Sequence, residues 1–96
     1  METTMIDESS VVVAADHQTS TEVDGESVIL DLEEGIYYGL NPTGARIWSK
    51  IQEPTAVEEI TGAITAEYDV GAERCREDVL SLLRDLKENE LIEIAE

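Results

Sequence analysis

The feature that most constrains this chain is a change of hydrophobic period at Asn41. Apolar residues alternate with polar ones before it and recur every three to four positions after it. A single switch of this kind places strands first and helices after them. Val28, Leu30 and Leu32 alternate with Ile29, Asp31 and Glu33, the pattern of a sheet with one face on a core. Asp24-Gly25 and Glu34-Gly35 separate the strand-like runs, and an acidic residue followed by Gly supplies the positive φ angles of a tight hairpin. These signals predict a three-stranded meander over about 17–23, 26–33 and 36–40, with VVVAA at 11–15 as the start of a further strand.

Beyond the switch, Asn41 caps and Pro42 opens a helix whose Gly44, Ile47, Trp48 and Ile51 follow helical spacing, predicted over about 42–51. Glu53-Pro54 ends it. Thr55 and Glu58 have capping-box spacing ahead of the stripe Val57, Ile60, Ile64 and Tyr68, which predicts a second helix over about 56–68. After a turn at 69–71, Cys75, Val79, Leu82, Leu83 and Leu86 mark a third over about 72–89, and LIEI at 91–94 is a short extended piece at most. The expected fold class is α+β and winged helix-turn-helix-like: a three-stranded antiparallel sheet followed by three helices that cover one of its faces. Residues 1–9, polar and without period, are expected to form a disordered tail, and 10–94 a single domain, because 96 residues are too few for two cores.

Charge narrows the function. With 23 acidic against 6 basic side chains the net charge is −17, which opposes binding to nucleic acid, where affinity comes largely from Lys and Arg. A winged-helix DNA regulator is thereby disfavoured in spite of the fold, and self-repulsion favours a monomer. An acid-rich, lysine-poor surface also fits a high-salt habitat. No apolar run approaches the roughly 18 residues that span a bilayer, and METTMIDESS has neither the basic start nor the apolar stretch of a signal peptide, so a cytoplasmic protein away from membranes is expected. The lone Cys75 requires no oxidising compartment.

Catalytic chemistry finds little support. Cys75 lies on the apolar stripe of the third helix, where a thiol behaves as a small buried hydrophobe, and His17 is the only histidine and reads as a polar surface residue. Two isolated residues supply no zinc site, no glycine-rich phosphate loop is present, and no stretch has the spaced ligands of a calcium loop. Neither Ser49 nor Ser81 has the setting of a carrier protein's phosphopantetheine serine. No enzyme activity and no cofactor are expected.

The stretch LDLEEGIYYGLNPTGARIW, residues 30–48, is the most specific signal. It resembles the PqqD-like peptide chaperones, and among them the leader-recognition proteins of lasso peptide gene clusters. An acidic turn with Gly, two aromatics, Leu-Asn and a Gly before Ile-Trp recur there. The resemblance continues through TAVEEI at 55–60 and EDVLSLLRDLKENELI at 77–92, and spans roughly residues 10–94. Glu90 departs from it, standing where the family often has Gly after the third helix, with Asn89 a candidate for the left-handed position instead.

The resemblance implies a non-catalytic protein that holds the leader of a ribosomally made precursor as a strand added to the third strand of the meander, against the third helix. It implies delivery of that leader to a processing peptidase and cyclase in lasso peptide maturation, or to a radical-SAM or other modifying enzyme. The carry-over places the docking edge at Ile36, Tyr37, Tyr38 and Gly39. Tyr37 and Tyr38 point to opposite faces, so one is expected in the core and the other free for a ligand, with the choice open.

Charge placement adds candidates on the third helix. At about 100° per residue, with Val79 central, Leu83 and Leu86 fall beside it, while Arg76, Leu80, Arg84 and Lys87 collect on one flank and Arg74 points away. A leucine among three cations suits a groove for an apolar leader residue and leader carboxylates. Pairing of these cations with the helix's own acids, as Arg84 with Glu88, is the alternative.

Overall fold

The computed structural model describes residues 6–68 and 71–95. Its order is β1 (Val11–Ala14), β2 (Gln18–Val23), β3 (Glu26–Asp31), β4 (Ile36–Leu40), α1 (Pro42–Lys50), β5 (Thr55–Ala56), α2 (Val57–Glu67), α3 (Ala72–Glu88) and β6 (Ile92–Ala95). The fold is α+β, with three helices and two antiparallel three-stranded sheets.

The expected meander is one of these sheets, β2-β3-β4. Asp24 and Gly25 both have positive φ, so the first hairpin closes on a two-residue turn with Val23 opposite Glu26. The second turn is longer than expected, because β3 ends at Asp31 rather than near residue 33 and pairs there with Ile36. Asp31 stops the strand: its Oδ1 accepts the N–H groups of Glu33 and Glu34, and its carbonyl accepts that of Gly35. Leu32 is left exposed in the turn. The inward face of β3 carries Ser27, Ile29 and Asp31, all buried, and the half-buried Val28 and Leu30 face the other way.

The second sheet, β5-β1-β6, joins segments far apart in sequence. Val11–Ala14 pairs with Ile92–Ala95 along its whole length and with Thr55–Ala56 on its other side. LIEI is thus part of a true strand and not merely an extended end. Pairing with Val12 also explains why Thr55 does not cap α2: Ala56 is the cap residue, and the Thr55 hydroxyl instead donates to the carbonyls of Lys50 and Glu53. Order begins earlier than the expected tail of 1–9 allows. Ile6 is buried in the core, and Asp7 turns the chain by accepting from Ser9 and Ser10. Residues 1–5 of that tail lie outside the described residues.

The core joins both sheets to the helices through Val12, Ile29, Ile47, Trp48, Ile60, Val79, Leu83, Leu86 and Ile92. Trp48 is oriented by donation from its indole Nε1 to Ser20 Oγ at 3.1 Å, which ties α1 to the meander. Asn41 Oδ1 accepts from the N–H of Gly44 at 2.8 Å, as its cap role predicts. A Cβ at Gly44 would sit 3.3 Å from the Leu40 side chain, so glycine there lets α1 start directly from β4. Cys75 is buried in the core, its Sγ 3.7 Å from the Thr61 carbonyl.

The end of α3 differs from the expectation at Asn89. Glu90 takes the left-handed conformation with φ 60°, while Asn89 stays at φ −90°. The N–H of Leu91 then donates to Leu86 and that of Glu90 to Lys87, the two bonds of a Schellman motif, with Leu86 and Leu91 both buried beneath it. Burying Leu91 requires the reversal at position 90, which outweighs the local preference of Asn for that conformation.

Candidate functional site

β4 pairs with β3 on one side, and on its other side no strand is paired among the described residues. Alternate N–H and C=O groups along that edge are therefore free to receive another chain. The register puts Ile36, Tyr38 and Leu40 on the face that bears Asp31, Ile29 and Ser27, the inward face, with Tyr37 and Gly39 on the opposite one. Tyr37 is the exposed tyrosine, at 70%, and Tyr38 packs against the core.

Tyr38 nevertheless also borders open space beside the strand. Two cavities flank it in a groove beside β4. One, of about 360 Å³, is lined by Tyr38, Leu40, Gly44, Ile47, Asp78 and Leu82 among others. The other, of about 230 Å³, lies toward the β3–β4 turn and is lined by Asp31, Glu34, Ile36, Tyr38, Glu88, Asn89, Glu90 and Leu91. Burial, and secondarily the Asp85 carboxylate, push the Tyr38 phenol above its ordinary pKa, which keeps it a neutral hydrogen-bonding group. The groove has an apolar floor of Tyr38, Leu40, Ile47 and Leu82 and a rim of carboxylates. Among the described residues no Lys or Arg lines either cavity.

Helix α3 meets this groove with a different flank from the one its cations mark. Asp78 and Leu82 line the larger cavity, whereas Arg76 and Leu80 line a shallow recess with Asp7, Glu8 and Ser9, about 120° or more around the helix from the groove side. There Arg76 pairs with Glu8 at 3.0 Å and Leu80 packs against the core. Arg84 is exposed, Lys87 half-buried, and Leu83 is fully buried in the core, out of reach of a ligand. Of the sequence candidates, the structure brings Ile36, Tyr38 and Gly39 to the groove, leaves Tyr37 on the outer face of the meander, and turns Arg76 and Leu80 toward the N-terminal turn.

Asp31, Asp78 and Leu82 line the groove and are not among the sequence candidates. The helical wheel that groups Arg76, Leu80, Arg84 and Lys87 also groups Asp78, Leu82 and Asp85 on the other side of Val79, but periodicity alone ranks neither flank. Asp31 had a local signal, as an acid inside an apolar strand just before a glycine turn.

A free edge strand above an apolar groove walled by a helix is a geometry for strand addition. The protein-family comparison matches residues 26–92, from β3 through α3, to coenzyme PQQ synthesis protein D, PqqD. The chain belongs to the PqqD family. Among solved structures, TbiB1 in complex with the TbiA(beta) leader peptide is 41% identical to this PqqD-family chain, covering 84% of it and 94% of TbiB1, with a TM-score of 0.80. A lasso peptide synthetase B1 complexed with the leader peptide is 26% identical over 85% of this chain and 96% of its own, with a TM-score of 0.77. No curated protein sequence matches significantly. Among the described residues no helix is long and apolar enough to cross a membrane, and no cluster of side chains has the makings of a metal site.

Proposed function

We propose that this chain binds the leader of a ribosomally made precursor peptide in lasso peptide biosynthesis, as a strand added to β4, and passes it to a processing peptidase and cyclase with no turnover of its own. The observation that carries the reading is the open β4 edge over the groove formed with α3, in a chain 41% identical to a protein whose structure contains a leader peptide. Main-chain hydrogen bonds to β4 supply affinity without regard to sequence, and the Tyr38–Leu82 groove supplies the choice of side chain. Ile36, Tyr38 and Gly39 contact the leader from the sheet, and Asp78 and Leu82 from the helix. The protein acts as a monomer, kept apart from its copies by a charge of −17.

The test is a titration of the fluorescein-labelled leader of the precursor encoded in the same gene cluster, followed by anisotropy. Saturable binding with a Kd of about 1 μM or below, equivalent to about −8 kcal/mol, is expected. Absence of saturation at tens of micromolar protein would overturn the reading.

A further inference from the structure

The groove's carboxylates are not all alike. Most acids of this chain are solvated, as a charge of −17 on a small surface requires. Asp31 is only 7% exposed, yet it lines the cavity nearest the β3–β4 turn. Its Oδ1 is committed to the N–H groups of Glu33 and Glu34, at 2.9 and 3.1 Å. No donor among the described residues reaches Oδ2. Glu34, Glu88 and Glu90 line the same cavity, and the ion pairs of Arg46 with Glu67 and Arg76 with Glu8 lie elsewhere. A largely buried carboxylate that shares a cavity with further carboxylates is stabilised when a positive charge joins it.

We infer that this end of the groove is a subsite for a Lys or Arg side chain of the bound leader, which donates to Asp31 Oδ2 between Glu34 and Glu88. The inference rests on the leader-binding reading and deepens it. The register of β4 adds a spacing rule. Ile36, Tyr38 and Leu40 stand on one face at about 6.7 Å intervals, with the acidic cavity at the Ile36 end and the apolar cavity at the Leu40 end. A strand laid along β4 presents alternate side chains to that face. The leader therefore carries its basic residue two or four positions from the apolar residue seated on Tyr38, Ile47 and Leu82.

The probe is the labelled leader that saturates in the titration above, alongside versions in which each Arg is replaced by citrulline or each Lys by norleucine. Asp31→Asn keeps an Oδ1 acceptor for the turn while removing the charge, and Glu59→Gln, exposed on α2 outside the groove, makes the same change in net charge. We expect Asp31→Asn to raise Kd about tenfold, the scale of a charge-assisted hydrogen bond, and Glu59→Gln to change it less than twofold. One uncharged leader should lose a similar factor, and combined with Asp31→Asn it should lose little more, since the two changes remove one interaction. Should Asp31→Asn fold poorly, Glu88→Gln with Glu90→Gln takes its place in the cycle. Equal effects of Asp31→Asn and Glu59→Gln, independent losses in the combination, or a binding leader with no base at that spacing would overturn the subsite while leaving leader binding intact. A leader that does not bind the parent removes the underlying reading itself.

Discussion

The two sheets of this protein are built from opposite kinds of contact. In β5-β1-β6 the central strand is paired on both sides by segments more than forty residues away along the chain, and Val12 and Ile92 are sealed in the core. The meander β2-β3-β4 is made of adjacent hairpins, and it leaves Val23, Leu32, Ile36 and Tyr37 exposed and, among the described residues, the β4 edge unpaired. The first sheet closes the fold by tying the N-terminal segment to the end of α3. The second offers what an incoming peptide strand needs. In the proposed reading recognition is added at the meander's open edge, while Ile29 and Leu40 of the same sheet share the core with the closed one.

The largest effects should fall on the closed side. Leu83→Ala and Ile92→Ala each remove a fully buried side chain and are expected to cost about 2–5 kcal/mol of unfolding free energy, read from urea titrations. Folded protein of either variant should bind leader as the parent does. A variant that stays fully stable but loses the leader would break the division between the sheets.

Next come the two flanks of α3. Leu82→Ala should weaken leader binding by about 1–3 kcal/mol, as interface anchors do, whereas Leu80→Ala combined with Arg76→Glu should change leader affinity little. The reverse ranking in paired titrations would move the leader to the N-terminal-turn side of the helix.

Smaller changes sharpen the comparison at the joints. Asn41→Ala removes the cap that launches α1 from β4 and is expected to cost about 1 kcal/mol. Glu90→Gly relieves a left-handed residue and is expected to add about 0.5–1 kcal/mol, partly offset by the greater freedom of the unfolded chain. Thermal unfolding should move down for the first and up for the second. A fall for Glu90→Gly would mean that the Glu90 side chain stabilises the turn after α3.

Much of this was legible because it is local. The period switch at Asn41, the cap and proline beside it, and Asp24-Gly25 each act within a few residues, and the meander and all three helices follow from them. The second sheet was illegible for the opposite reason, since nothing in VVVA, TA or IEIA names its partner across the chain. The same limit governs the site. The β4 edge could be placed from LDLEEGIYYGLNP, but which flank of α3 faces it depends on how the helix is rotated onto two sheets, one of them unforeseen. Cations drew notice to Arg76, Arg84 and Lys87 because they are scarce, although scarcity carries no direction. At Glu90 the backbone reversal is dictated by the burial of Leu91, which local preference does not report.

The central claim is that the leader joins the meander at β4, and amide hydrogen exchange with and without saturating leader tests it most directly. The account predicts slowed exchange at alternate amides within Ile36–Leu40 and in the Asp78–Leu82 turn of α3, with the β2 edge at Gln18–Val23 unchanged. Slowing along β2 or along the β5-β1-β6 sheet, with the β4 amides still exchanging as in the free protein, would contradict it.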